Sequence, residues 1–200
     1  MEETFTNLYE TCGWGSNNMK EYSGSSGSGS TIWFNENTYV PFLRTFIINN
    51  NVKNIVDLGC GDFVCGHLLY KNLDVNYTGY DAYKKVVEYN TKKCDNSKFN
   101  FKHLDFCNKK EEIIAGDLCI IKDVLQHWSL KNIYKLLDFL VYTKRFKYIL
   151  ITNCCNQLVD NTDIPDGSWR ELGSKYFPLK KYEPIVLYKY HTKEVSLIKV

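Results

Sequence analysis

The fold class this sequence predicts is an α/β domain: three layers, a mostly parallel sheet with helices on both faces, and an antiparallel hairpin at its C-terminal edge. Three observations predict it. β-rich and helix-periodic runs alternate between residues 52 and 153. A glycine-rich turn, "DLGCGDF", follows the first apolar run directly. Two β-rich runs parted by a short polar break close the chain in "PIVLYKYHTKEVSLIKV". Alternating strands and helices imply right-handed β-α-β crossovers, so the strands lie parallel and the helices cover both faces.

The elements follow in order. Residues 1–34 hold a Gly/Ser-dense stretch, "CGWGSNNMKEYSGSSGSGSTIW". Its composition alone reads as a flexible linker. Trp14, Tyr22 and Trp33 are residues that linkers avoid, so an ordered, ligand-facing lid is the other reading. Asn35 is the expected N-cap of a helix over "ENTYVPFLRTFIINN", where Tyr39, Phe42, Leu43, Phe46 and Ile47 recur at helical spacing. Pro41 falls early enough in it to be tolerated. "VKNIVDL" then reads as a strand and "DFVCGHLLYKNL" as a helix. "NYTGYD" is a strand, "AYKKVVEYNTKK" a helix, and "KFNFKHLDF" and "DLCIIKDVL" are strands. "SLKNIYKLLDFLVYTK" is a helix and "KYILITN" a strand. Residues 154–182 read as a long loop on the substrate side, because loops of that length are more often functional or disordered than idle.

Totals narrow the class. A chain of 200 residues, 44% hydrophobic and 24% charged, can bury one core, and one domain is expected over residues 1–200. A net charge of +2 makes nucleic acid an unlikely main partner and gives no stripe for an anionic membrane. No run of about 18 apolar residues exists to span a bilayer. The opening "MEETFTNLYE" lacks the basic head and apolar run of a secretory signal. Eight cysteines are scattered with no C-x-x-C pair, so no structural zinc is expected. They read as reduced core residues of a cytoplasmic protein.

The chemistry concentrates at the turn. Gly59 and Gly61 let the backbone bend sharply and approach a ligand with no Cβ in the way. With Gly66 the spacing is G-x-G-x-x-x-x-G, not the dinucleotide G-x-G-x-x-G, and a G-x-G alone is equally a plain tight turn. Asp57, Asp81 and Asp105 recur at three strand ends. Asp81 is placed to accept from two ribose hydroxyls, and Asp105 to meet an exocyclic amine of adenine. Each is equally a helix cap or turn former by itself.

"VDLGCGDF", "YTGYD", "LDF" and "DLCIIKDVLQHWS" together resemble the class I S-adenosylmethionine-dependent methyltransferases, whose sheet is Rossmann-like. More narrowly, "GWGS", "SGSGST", "DLCIIKDVLQHWS" and "NTDIPDGSWRELG", in that order, resemble a small bacterial and large-virus group in that superfamily. The resemblance implies S-adenosyl-L-methionine as cofactor. It implies that Asp57, Gly59 and Gly61 shape the pocket for its amino acid end. Asp81 would hold the ribose, Ala82 and Tyr83 would flank the adenine, and Asp105 and Phe106 would clasp it. Lys122, Asp123 and Val124 would form the floor near the methyl, with Trp14, Ser26, Ser28 and Ser30 above as a lid. Lys122 stands where the group commonly has arginine, which keeps the charge and loses the bidentate fork.

His127 is the expected general base, since imidazole titrates near neutrality, and Asp123 would orient it or bind the acceptor. His67, His103 and His191 read as structural or surface residues. Asn153 and the loop residues Asp163, Asp166, Trp169 and Arg170 are candidates for gripping a polar acceptor, or for pinning the loop. Asp123, Asp163 and Asp166 could gather around Mg²⁺, but no metal is assigned. The expected activity is methyl transfer to a small-molecule or glycan acceptor, such as a sugar or glycan-precursor hydroxyl. RNA or protein methylation, a non-catalytic cofactor-binding subunit and an NAD-dependent dehydrogenase are the competing readings.

Overall fold

A computed structural model of the chain describes residues 1–94, 97–156 and 160–200. Residues 157–159, at the start of the expected substrate-side loop, lie outside the described residues. Seven strands form one sheet: β1 (Asn54–Leu58), β2 (Asn76–Asp81), β3 (Phe99–His103), β4 (Leu118–Lys122), β5 (Tyr148–Cys154), β6 (Ile185–Tyr190) and β7 (Lys193–Lys199). Their spatial order is β3-β2-β1-β4-β5-β7-β6. β1 to β5 are mutually parallel, and β7 runs antiparallel between β5 and β6. Successive connections leave β1 in opposite directions, which makes the gap between β1 and β4 the switch point where such sheets bind ligands. The antiparallel β7 separates this order from the all-parallel 3-2-1-4-5-6 sheet of dinucleotide-binding domains.

Strand parity sorts the core into two layers, because successive side chains point to opposite faces. Val56, Leu58, Cys119, Ile121, Ile149 and Ile151 share one face with α6 (Leu130–Thr143). That helix offers Ile133, Leu136, Leu137 and Leu140, one amphipathic stripe at i, i+3, i+4 and i+7. Ile55, Leu118, Ile120 and Leu150 share the other face with α3 (Tyr39–Asn49) and α4 (Gly66–Tyr70). A third cluster joins α5 (Lys84–Lys93), through Val86 and Val87, to Tyr9 on α1 (Glu2–Glu10) and to Tyr22.

Three local assignments differ from the sequence reading. Residues 2–10, given no element there, form α1. Asn35 does not cap α3; it ends α2 (Ile32–Asn35), and its buried amide donates to the carbonyls of Gly29 and Thr31 at 2.9 and 2.8 Å. Its donors tie the Gly/Ser segment down, while α3 begins four residues later, after Thr38. The helix expected over 62–73 shrinks to α4, because Phe63 adopts φ 53° and its ring fills the space against Gly66.

Leu137 is fully buried and Tyr142, on the same helix, is 88% exposed. Leu137→Ala should therefore lose about 2–5 kcal/mol in urea denaturation. Tyr142→Ala should stay within about 0.5 kcal/mol of the parent protein.

Candidate functional site

The glycine turn leaves the end of β1 and is fastened to β2. Gly59 N and Cys60 N both donate to the Tyr80 carbonyl, at 2.8 and 3.0 Å. Gly61 N donates to Asp81 Oδ2 at 2.9 Å, and Tyr83 N donates to Asp81 Oδ1 at 2.9 Å. From α5, the fully buried Asn90 donates to the Gly61 carbonyl at 2.7 Å. Gly59 sits at φ +85°, and a Cβ there would come within 2.4 Å of Val124 Cγ2. The chain needs glycine at that point because the turn backbone and the Val124 side chain, just past β4, close the gap between them.

The Gly/Ser-dense segment is an ordered strap over this turn. Ser26 N donates to Asp62 Oδ2 at 3.2 Å, and Asp62 N donates back to Ser26 Oγ at 2.9 Å. Tyr9 OH lies 2.8 Å from the same Ser26 oxygen, and its ring stacks on Tyr83 with centroids 4.5 Å apart. Trp14 reaches His127, ring to ring at 5.0 Å.

Between strap and strand ends lies a cavity of about 410 Å³. Gly59, Gly61, Asp81, Ala82, Asp105 and Phe106 line the end over β1 to β3. Trp14, Ser28, Ser30, Lys122, Asp123 and Val124 line it further along, with His127 and Trp169. A smaller cavity of about 70 Å³ adjoins it, sharing Ser30, Gly59 and Lys122 and adding Asp57 and Asn35. Asp57 opens there because it pairs with Gly79, not with Asp81, and shares the strand face of Ile55. Asp57 and Asp81 are thus not level across the sheet.

The other nominated residues stand outside the large cavity. Tyr83 holds α1, donating to Glu10 Oε1 at 2.8 Å. Asn153 is buried in the β5–β7 ladder opposite Glu194. Asp163 Oδ1 accepts from Leu130 N and Asp166 Oδ1 from Ser129 N, so both serve the start of α6. Arg170 donates to the carbonyls of Trp128 and Gln126 at 2.9 and 3.3 Å. This polar set pins the loop, and only Trp169 turns to the cavity, 55% exposed. Asp123, Asp163 and Asp166 are committed to separate partners, and no group of three or more metal-ligating side chains occurs among the described residues.

The charges divide between the two ends. Burial pushes Asp81 and Asp62 upward, and it lifts Asp57 to about 6 although the Tyr77 hydroxyl and Lys122 pull the other way. At Asp105 burial is outweighed by Asn108 and the Glu2 N–H, which hold it low. Beyond β4, Asp123 Oδ2 takes Lys122 at 2.7 Å and Oδ1 takes Lys193 at 2.5 Å. Those ammonium groups outweigh burial and hold Asp123 below the usual carboxylate range. Burial pushes His127 down. Its Nδ1 lies 2.9 Å from the Ser168 carbonyl, which can only accept, so the proton is assigned to Nδ1 and Nε2 keeps its lone pair. Lys193, Cys60 and Tyr9 also line the cavity and were not foreseen. Nothing in the sequence marks Lys193, a hairpin lysine 70 residues from Asp123.

No family model matches the chain, and no curated protein matches it. Solved structures do resemble it. The methyltransferase domain of bacterial CtHen1 aligns over 81% of this chain and 97% of its own, at 14% identity and a TM-score of 0.63. Magnesium protoporphyrin IX methyltransferase (ChlM) from Synechocystis PCC 6803, with bound SAH, aligns over 98% of each chain at 10% identity and 0.63. Human N-acetylserotonin methyltransferase, in complex with SAM, aligns over 80% of this chain and 51% of its own, at 16% identity and 0.60. These likenesses establish the fold alone: a mostly parallel sheet closed by an antiparallel hairpin, shared with these methyltransferases.

Ser26→Ala would leave Asp62 N and Tyr9 OH without their partner. A loss of about 1–3 kcal/mol in global stability is expected. Faster amide hydrogen exchange at Asp62 and across the strap should accompany it.

Proposed function

We propose that this chain is an S-adenosylmethionine-dependent methyltransferase acting on a small polar acceptor, with a sugar or glycan-precursor hydroxyl as the acceptor group. The observation that carries the reading is the cavity at the switch point, closed on one side by a glycine turn bonded to Asp81. The residues present fit the cofactor. Gly59 and Gly61 bring backbone to the cavity wall with no side chain. Asp81, buried, and Asp57, half-buried, are acids with no cation bonded to them among the described residues, as suits a ligand carrying a sulfonium and an ammonium. The Asp81 oxygens take the N–H groups of Gly61, Ala82 and Tyr83 and keep a lone-pair site for a ribose hydroxyl. Asp105 and Phe106 are assigned to the adenine. Asp57, Ser30 and Lys122, around the small cavity, are assigned to the amino acid end. Tyr83 acts one step removed, by stacking on Tyr9 and holding α1.

When bound, the cofactor would supply an electrophilic methyl group and, in its sulfur, the leaving group that takes back the C–S pair as the acceptor lone pair bonds to carbon. His127 Nε2 takes the acceptor proton, and its Nδ1–H bond to Ser168 keeps the ring oriented. Trp14 and Trp169 offer aromatic faces and Ser28 and Thr192 offer hydroxyls, a mixture suited to a sugar-sized molecule. Asn153, Asp163 and Arg170 support that half of the cavity from behind, by fixing the β5 end and the loop. All eight cysteines are free, which accords with a reducing, cytoplasmic setting. No helix among the described residues is long and apolar enough to cross a membrane.

The deciding experiment transfers a labelled methyl group into fractionated sugars, RNA and protein. Label in the sugar fraction is expected; label in RNA or protein would move the acceptor, and cofactor binding with no product from any pool would leave a non-catalytic subunit. S-adenosylhomocysteine should raise the melting temperature where NAD does not. Asp81→Asn should weaken S-adenosylhomocysteine by roughly tenfold or more, the loss of one charge-assisted bond or more. His127→Gln should lower turnover by about 10²-fold with cofactor affinity kept; equal turnover would remove it as base.

The raised Asp57 also sets a pH dependence. In the free protein its proton is favoured by the fold, so this contribution to stability is present below the ordinary carboxylate range and is lost as pH rises through about 6. The ammonium at the amino acid end of the ligand holds Asp57 ionised. Binding below about pH 6 must therefore displace a proton, and S-adenosylhomocysteine affinity should fall from about pH 7 to about pH 5, approaching tenfold per unit. Asp57→Asn should flatten that slope in a calorimetric titration.

A further inference from the structure

Lys193 opens β7, and β7 is separated from β1 by β4 and β5. Three strand spacings put its backbone ~14 Å along the sheet from the glycine turn. It therefore belongs to the far half of the cavity, away from Asp81 and Asp105. Its side chain is 4% exposed, and it lines the large cavity only. An ammonium has three protons to place. One goes to Asp123 Oδ1 at 2.5 Å and one to Cys154 Sγ at 3.2 Å, while the Phe34 ring lies 5.4 Å away on another side. The third has no hydrogen-bond partner among the described residues. A nearly buried cation on a cavity wall with an unused N–H is a donor waiting for an acceptor atom.

The surroundings fix what that acceptor atom is. Asp123 holds φ +59°, a strained conformation for an aspartate, and in it each oxygen meets one lysine. Lys122 is engaged by Gly29 O at 2.9 Å as well as by Asp123, and it faces the small cavity too. The groups facing the far half are thus Lys193, Lys122, Asp123, Cys154 and His127, whose burial keeps it neutral. Asp123 is the one carboxylate bonded to Lys193, and it is shared with Lys122.

We infer that the Lys193 ammonium holds the reacting oxygen of the acceptor, and that this protein methylates oxygen and not nitrogen. The inference rests on the methyltransferase reading and narrows it. As the acceptor O–H gives its proton to His127 Nε2, the negative charge growing on oxygen faces Lys193, and it is discharged when the oxygen pair forms the O–C bond. Methylation of an amine runs the other way. It would build positive charge beside an ammonium that is already short of an anion. Asp123, ionised and bonded twice, positions Lys193 and takes no proton.

A chromogenic hydroxyl tests this without turnover. 4-Nitrophenol is added to the complex with S-adenosylhomocysteine, and its phenol–phenolate absorbance is followed against pH. Bound to the parent protein, it should ionise about tenfold more readily than in free solution, one pH unit lower. Lys193→Gln should abolish the shift while S-adenosylhomocysteine binding, measured on the same sample, persists. Lys193→Arg, which keeps the charge if the glutamine variant fails to fold, should retain most of it. No binding of the phenol to the complex, an unshifted titration, or an equal shift in Lys193→Gln overturns the inference. With a carbon-13 methyl donor, an O–CH₃ signal in the product is expected and an N–CH₃ signal overturns it. Failure of S-adenosylhomocysteine to bind the parent protein would instead overturn the cofactor reading beneath it.

Discussion

The carboxylate of Asp81 is the contact on which the site depends. One oxygen accepts from Gly61 and the other from Tyr83, so a single side chain ties the glycine turn to the start of α5. The turn can take that path only because Gly59 and Gly61 hold left-handed φ and place no Cβ against Val124 and Ser26 respectively. Asn90 closes the arrangement from α5 by binding the Gly61 carbonyl. Removing any of these groups leaves a buried backbone N–H or C=O without a partner, the costly outcome in a water-poor interior.

From that anchor the cavity acquires two electrostatic characters. Over β1 and β2 the large cavity faces Asp81 and the adjoining small one faces Asp57, acids that burial makes reluctant to ionise, a setting that favours a cationic group. Past β4 the large cavity faces two ammonium groups bridged by Asp123, with a neutral imidazole nearby. Parallel strands produce this separation, because each contributes its C-terminal residues to the same edge while the spacing between strands keeps the groups apart. The methyl donor and its acceptor need opposite electrostatic company, and the strand order supplies it.

The strap shows how a glycine-rich segment becomes ordered. Its backbone is held by Ser26 on Asp62, by Asn35 on Gly29 and by Lys122 on the same Gly29 carbonyl. Gly29 is suited to this close approach, since a Cβ would sit 3.1 Å from Asp123 Oδ2. Aromatic packing of Tyr9 on Tyr83, and of Trp14 near His127, adds the apolar area that a linker lacks. Strap, turn and far half therefore share partners, and a change in one is felt in the others.

The sequence alone determined the alternation of strands and helices, the glycine turn and the terminal hairpin, because periodicity and φ preference are local properties. It also determined which residue types could meet a ligand at the turn, since Asp81, Gly59 and Gly61 lie on one strand–turn–strand path. It did not disclose that Asp57 opens to a separate small cavity, which follows from parity and pairing register between strands. It left open whether Asp163, Asp166 and Arg170 grip an acceptor or pin the loop, since their partners lie far along the chain, on and just before α6. Lys193 is the sharpest case. Its neighbour Asp123 is 70 residues away, and only the insertion of β7 beside β5 brings the two within 2.5 Å. Composition and spacing carry no trace of such a contact, because it is made by the sheet order and by nothing local to either residue.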